Sequence, residues 1–460
     1  MTRSNETPTS AAKVALLLLT LAAAGLRLSH LGSKSLWLDE GATVALARTN
    51  WQHFAWVWWH GEANLQTVYF LFMRGWVHGG LSEAWLRLPS ALFGIASVPM
   101  LDIVARKLLP AGAALAAAAL LTFSPTHVYY SYEARSYTLT ILLVLLSSYF
   151  FIGAVERGRP RDWTLWTVCS ILAFYSHYFA ALVFLAQVCS LFLRTTTAVT
   201  WRRVVLCSVL IFAAALPGLT YVFRASHENL YFNWMPHATP KEIWRLAKFL
   251  GGSGVKVFLA LILWIAGVVG VARARLCDHE ELWHGLLIVL WAFLPAMILL
   301  AAAGMMTMTR MRLGLILVIA LCAMSVPTIF RDYHKPREDW RSASKSILAS
   351  AQAGDAVVFF PFYTRIMLDY YHDRYLQNLS PVHVFAPGFY DAGEDERDLL
   401  RALDADPQQF RHVWIVLYRS DSAKHNVEPM SAAVAARLQR VFGPPQTRQF
   451  ADIEVLGYGK

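Results

Sequence analysis

Asp39 and Glu40 stand side by side in Ser35-Leu36-Trp37-Leu38-Asp39-Glu40-Gly41, directly after an apolar run. Adjacent carboxylates at an apolar boundary are costly to keep unless a cation or a chemical task holds them there. One such carboxylate can take the proton of a hydroxyl as a general base. The pair can equally begin a helix, with Asp39 as its N-cap and Glu40 in a first turn favoured by the helix dipole. Two arginines extend the set. Arg87 lies in Leu86-Arg87-Leu88-Pro89-Ser90, and Arg135 lies beside Glu133 in Tyr129-Tyr130-Ser131-Tyr132-Glu133-Ala134-Arg135-Ser136-Tyr137. Arginine suits a phosphate because its planar, permanently charged fork binds two oxygens at once. As single residues, both arginines also read as anchors whose heads snorkel to the interface.

The elements that must position these residues are mostly apolar. Hydrophobic residues make up 56% of the 460 and charged residues 16%, which disfavours a wholly soluble enzyme and excludes a disordered chain. The charge is unevenly divided. Residues 331–460 hold 16 Lys/Arg and 17 Asp/Glu, a net of −1, whereas 1–330 hold 25 and 14, a net of +11. A basic excess among apolar runs speaks for membrane topology and lipid headgroups, not for nucleic acid. The expected fold is therefore an α-helical polytopic membrane domain over 1–330 followed by a small soluble α/β domain over 331–460. The five cysteines form no CxxC pair and read as apolar fillers.

Runs long enough to cross about 30 Å of hydrocarbon fall near 14–31, 88–105, 111–128, 137–154, 204–223, 255–272, 283–303 and 313–330. The apolar stretch 163–193 has basic residues at both flanks and is interrupted by Ser176-His177-Tyr178, which predicts two short helices turning at His177. The count is about ten spans, the first of them uncleaved. Inner loops then carry 12 Lys/Arg in 50 residues and outer loops 11 in 110, which puts the N-terminus in the cytoplasm and the 32–87 loop outside. Ten spans also put the C-terminal domain inside. The outer loop is rich in aromatics, from Trp51 to Trp85, and two interfacial helices are predicted near 40–59 and 64–79. A further short span over 64–79 is the alternative. In the tail, strands are predicted at 356–360, 382–385, 413–418 and 453–457, with helices over 340–350 and 430–441.

Acidic residues are scarce on the expected outer side: Asp39, Glu40, Glu62, Glu83, Glu133, Glu228 and Glu242. Three stretches then occur in an informative order. They are Leu38-Asp39-Glu40, Ser82-Glu83-Ala84-Trp85-Leu86-Arg87-Leu88-Pro89-Ser90-Ala91-Leu92-Phe93-Gly94, and Tyr130 to Tyr137. Together they resemble the GT-C membrane glycosyltransferases related to protein O-mannosyltransferases, aminoarabinose transferase and lipid A galacturonosyltransferases. Weaker likeness at Ser176-His177-Tyr178-Phe179 and Thr309-Arg310 carries the resemblance to about residue 330. One departure is plain. The family usually has His-Pro-Pro-Leu-Tyr in the first loop, where this chain reads Ala63-Asn64-Leu65-Gln66-Thr67-Val68-Tyr69. Relatives with a tail opening like Arg337-Glu338-Asp339-Trp340-Arg341 tend to place that tail outside, against the ten-span count.

The resemblance implies a polyprenyl-phosphate sugar donor and chemistry on the extracytoplasmic face of the cell membrane. Asp39 then matches the acceptor-activating acid and Arg87 an arginine near donor phosphate. Glu40 shapes the field of Asp39 or positions the acceptor. Arg135, with His177 and Arg310, belongs to the substrate-binding set, and Glu133 orients an arginine or binds sugar hydroxyls. Such a scheme needs no metal or other cofactor. The expected partners are the lipid-linked donor, membrane lipids and a glycolipid, polysaccharide or protein acceptor. Two other readings fit the same residues: a catalytically silent relative that keeps the fold, and a transporter or flippase for a lipid-linked solute. Both remain open at the level of sequence.

Overall fold

The structure is a computed structural model that describes residues 9–60, 66–191, 201–227, 312–335, 337–375, 383–385, 396–406, 409–418 and 429–459, with isolated positions 241, 245 and 248. Expected spans near 255–272 and 283–303, and the residues Glu62, Glu228, Glu242 and Arg310, lie outside them. In chain order the first helices are α1 (Ser10–Leu28), α2 (Leu38–Arg48), α3 (Trp51–His60), α4 (Thr67–Trp76) and α5 (Glu83–Leu108). Next come α6 (Ala111–Thr122), α7 (Pro125–Ser131), α8 (Tyr137–Arg157), α9 (Pro160–Phe174), α10 (Ala180–Ser190), α11 (Trp201–His227) and α12 (Arg312–His334). The tail contributes α13 (Trp340–Ser350), β1 (Ala356–Phe360), α14 (Arg365–Tyr375), β2 (His383–Phe385) and α15 (Glu396–Ala405). It ends with β3 (His412–Tyr418), α16 (Pro429–Phe442), β4 (Gln446–Phe450) and β5 (Ile453–Gly459).

Two compact units divide the chain, and the division differs from a cut at 330. The helical unit comprises Met1–His30, Ala55–Phe72 and Arg87–His334. The second unit joins Leu31–Phe54 and Met73–Leu86 to Lys335–Lys460.

In the helical unit, α1, α5, α8 and the Trp201–Tyr221 part of α11 are long and apolar enough to cross a membrane. The stretch expected as one straight span near 111–128 is instead the pair α6 and α7, bent by 57°. The bend has a local cause. Pro125 opens α7 without an N–H to continue the helical ladder, and Ser124 caps α7 by accepting the His127 amide at 3.3 Å. The last carbonyls of α6 are then met from α1. Arg27, fully buried, donates to Leu121 O at 3.0 Å and to Thr122 O at 3.2 Å, and its Nη2 also meets His127 Nδ1 at 2.8 Å. The 163–193 stretch forms α9 and α10 with the break at 175–179, as its interrupted pattern predicts. The predicted helix over 40–59 is two helices, because Thr49 is extended and Asn50 Oδ1 accepts the His53 amide at 2.7 Å. The 64–79 helix is observed as α4 followed by a 3-10 turn at Val77–Gly79.

Near the end of α12, the Tyr333 hydroxyl donates to the carbonyl of Leu26, and its ring stacks on His30 at 4.2 Å. The C-terminal ends of α1 and α12 therefore lie together.

In the second unit the tail forms a five-stranded sheet of order β2-β1-β3-β5-β4. The β2, β1 and β3 strands are parallel, with Val357 opposite both Val384 and Trp414, and β5 runs antiparallel to β3 and β4. Every residue of β1 is buried, as expected of a parallel strand covered on both faces. One face packs Ala356, Val358, Phe360, Val413 and Ile415 against Leu399 and Leu403 of α15 and Val434 and Leu438 of α16. The predicted strands and the helices α13 and α16 are present within a residue or two. Sequence reading did not pick out α14, α15 or β4. The last is an edge strand reading Gln446-Thr447-Arg448-Gln449-Phe450, whose polar residues hide the pattern.

On a cysteine-free background, Ser33→Cys and Asp406→Cys are expected to react together with a membrane-impermeant thiol reagent in intact cells, while Arg159→Cys stays protected. Labelling of Ser33→Cys and Asp406→Cys from opposite sides would contradict a loop and tail that form one unit.

Candidate active site

The candidate residues fall in two units. In the loop-and-tail unit, α2 opens at Leu38, with Trp37 as N-cap. Asp39 is therefore not the cap. Glu40 does that work: its Oε2 accepts the Trp37 amide at 3.2 Å, and its side chain is completely buried. This is the acidic half of a capping box, at the third helical position. Asp39 sits in the same first turn and is half-buried.

A residue not singled out as a site candidate joins them. Glu338 Oε2 accepts the Leu38 amide at 3.3 Å and the Trp340 indole N–H at 2.8 Å, and its Oε1 accepts the Tyr418 hydroxyl at 2.6 Å. Burial pushes the Glu338 carboxyl above its usual range. The three donors pull it back, and the nearby Asp39 charge raises it further. Burial also raises the Tyr418 hydroxyl, with the Glu338 charge adding to it. The signal in the sequence was Glu338 inside the Arg337–Arg341 tail opening, but its partner lies 300 residues away.

Glu83 anchors the same unit. Its carboxylate is only 2% exposed. It accepts from Arg341 Nε at 2.9 Å, pairs with Arg374, and takes the Tyr371 hydroxyl at 3.4 Å. Arg341 also donates to the carbonyls of Gly32 and Lys34, while Tyr371 hydrogen-bonds Ser35 at 2.9 Å and accepts the Leu36 amide at 3.1 Å. The backbone leading into α2 is thus held by tail side chains.

The helical unit holds Arg87, Glu133, Arg135 and His177. Arg87 is buried on α5, one turn before Ser90. Ser90 ties three segments together: its Oγ donates to Arg135 O at 3.0 Å and meets the Tyr69 hydroxyl at 2.9 Å, while its carbonyl accepts Thr138 Oγ1 at 2.8 Å. Glu133 and Arg135 are both buried in the turn between α7 and α8. Ser136 Oγ donates to Gln66 Oε1 at 3.1 Å, so one residue of the stretch that replaces His-Pro-Pro-Leu-Tyr contacts this turn, while Tyr69 of the same stretch meets Ser90. His177, in the turn between α9 and α10, lies against Tyr137 with ring centroids 5.9 Å apart. Burial, and then the Arg135 charge, lower its imidazole to about 4. His177 is therefore neutral at neutral pH beside a permanent cation. Arg135 thus lies near His177 and is tied to α5 through Ser90, while Arg310 lies outside the described residues. The contributions of Ser90, Tyr69 and Gln66 were not foreseen.

Comparison with solved structures decides the fold. ArnT from Cupriavidus metallidurans in the apo state superposes with a TM-score of 0.57 at 14% identity, covering 97% of this chain and 98% of that one. The same protein bound to undecaprenyl phosphate gives 0.55 at 15% identity, covering 98% of both chains. This chain has the GT-C fold. A second GT-C likeness is to the archaeal oligosaccharyltransferase AglB from Archaeoglobus fulgidus, in complex with an inhibitory peptide and a dolichol-phosphate. There the TM-score is 0.53 at 11% identity, covering 88% of this chain and 69% of that one. The family described as dolichyl-phosphate-mannose-protein mannosyltransferase matches residues 69–221 of this GT-C chain. That stretch contains Arg87, Glu133, Arg135 and His177, and leaves out Asp39, Glu40, Glu338 and Arg310. No curated protein matches.

Glu83→Ala is expected to destabilise the loop-and-tail unit by about 3 kcal/mol, because it leaves two half-buried guanidiniums without their carboxylate. Thermal unfolding of the purified protein, with limited proteolysis of the tail, reads this directly. A parent-like melting profile would mean that Arg341 and Arg374 find other partners.

Proposed function

We propose that this chain is an inverting glycosyltransferase that moves a sugar from a polyprenyl-phosphate donor to an acceptor hydroxyl on the extracytoplasmic face of the cell membrane. The GT-C fold supports the class, and the polyprenyl phosphates bound by ArnT and AglB support the donor chemistry. The observation that carries the reading for the chain itself is the unequal use of its adjacent carboxylates. Glu40 is buried and committed to the Trp37 amide, while Asp39 in the same turn keeps part of its surface accessible. That difference supports Glu40 as the structural acid and Asp39 as the reactive one.

In the proposed reaction, Asp39 takes the proton of the acceptor hydroxyl as its oxygen attacks the anomeric carbon. The new carbon–oxygen bond forms as the bond to the lipid phosphate breaks. The bonding pair leaves with the phosphate, and attack from the opposite face inverts the anomeric centre. A phosphate leaves without being protonated first, so the acid partner that a glycosidase requires is not needed. Arg87 and Arg135 hold the departing phosphate through charge-assisted hydrogen bonds, and a neutral His177 adds a hydrogen-bonding group without a second charge. Glu133 orients Arg135 or binds sugar hydroxyls. The acceptor is a glycolipid, polysaccharide or protein.

Asp39→Asn is expected to lower the transfer rate by about two to four powers of ten while the protein stays folded. Glu40→Gln keeps an acceptor for the Trp37 amide and is expected to retain most of the activity. A radiolabelled-sugar transfer assay in detergent, without any ion gradient, checks both. An active Asp39→Asn with a dead Glu40→Gln would reverse the two roles. Transfer at the parent rate by both variants would make the pair structural.

A further inference from the structure

We infer that Glu338 is a positioning residue for this reaction, holding the first turn of α2 so that Asp39 meets the acceptor. The inference rests on the reading of Asp39 as the base. Its ground is geometric. An α-helix opens with amides that have no helical partner. At α2 the Trp37 amide is taken by Glu40 from within the helix, and the Leu38 amide, directly before Asp39, is taken by Glu338 from the tail. Glu338 is itself fixed from several sides. Tyr418 at the end of β3 occupies Oε1, and the Trp340 indole shares Oε2 with Leu38. The Trp340 and Tyr418 rings pack at 5.6 Å, and the next amide, that of Asp339, donates to Ala451 O at 3.0 Å in the turn between β4 and β5.

Both oxygens of Glu338 are thus committed to donors, which distinguishes it from a second base. A helix amide needs only a neutral acceptor. A carboxylate buried near Asp39 is the more expensive choice, as the upward push on its protonation shows. The expense is consistent with a strong, short-range clamp on the turn that carries the reacting group. Small misplacements of a reacting group lower rates steeply: about 1 Å can cost roughly a hundredfold.

Two substitutions separate the clamp from other roles. Glu338→Gln keeps an oxygen for Leu38 and Trp340, and its amide can donate to Tyr418; Glu338→Ala removes both sides of the clamp. With a polyprenyl-phosphate sugar as donor, Glu338→Ala is expected to lose kcat by about tenfold or more, with donor KM within about twofold, whereas Glu338→Gln stays within about threefold of the parent. Hydrogen exchange over residues 36–44 gives a readout independent of activity. The α2 amides should exchange faster in Glu338→Ala and at the parent rate in Glu338→Gln. Unchanged exchange in Glu338→Ala overturns the clamp. Faster exchange with parent kcat makes Glu338 purely structural, and a Glu338→Gln as slow as Glu338→Ala shows that the charge itself takes part. If the parent transfers no sugar, the enzymatic reading fails, and the exchange comparison still decides whether Glu338 holds α2.

Discussion

The Glu83 carboxylate, buried between the guanidiniums of Arg341 and Arg374, is the contact on which the loop-and-tail unit turns. A carboxylate in that setting is stable only while its cations stay, and both cations come from the tail. Through Arg341 the same node reaches the backbone at Gly32 and Lys34, and Tyr371, which also touches Glu83, reaches Ser35 and Leu36. The chain from the end of α1 to the start of α2 therefore has its path set by residues from the far end of the sequence.

At the start of α2, three carboxylates share one helix N-terminus without sharing a task. Glu40 closes the helix from inside and Glu338 closes it from the tail, so two of the orphan amides that begin any helix have acidic partners. Asp39 directly precedes Glu40 in sequence and is half-buried. Anionic groups are favoured at that end of a helix, which lets the fold gather acids where an isolated acidic cluster would repel itself. In the helical unit, Ser90 has the corresponding part among neutral groups, joining α5, Tyr69 and the Arg135 turn by hydrogen bonds of 3.0 Å or less.

Much of this was legible in the residues because it follows local rules. Long apolar runs gave α1, α5, α8 and α11, β-branched runs gave β1 and β3, and the polar interruption at Ser176-His177-Tyr178 gave the break between α9 and α10. The family resemblance singled out Asp39, Arg87, Glu133 and Arg135 as candidates. What stayed hidden depends on partners distant in sequence or on weak local signals. The bend between α6 and α7 needed Pro125 to be read against Arg27 of another helix. The polar β4 has no apolar alternation to betray it. Glu338 looked like one charge in a charged stretch until the fold brought it to Leu38.

The central claim is a single displacement at the anomeric carbon, with Asp39 acting on the acceptor and never bonding to the sugar. The most direct measurement is the anomeric configuration of the product, read by proton NMR from the coupling of the anomeric hydrogen after transfer from a polyprenyl-phosphate donor of known configuration. Inversion relative to the donor is the predicted result. Retention would require a second displacement through an enzyme-bound sugar and would contradict the account.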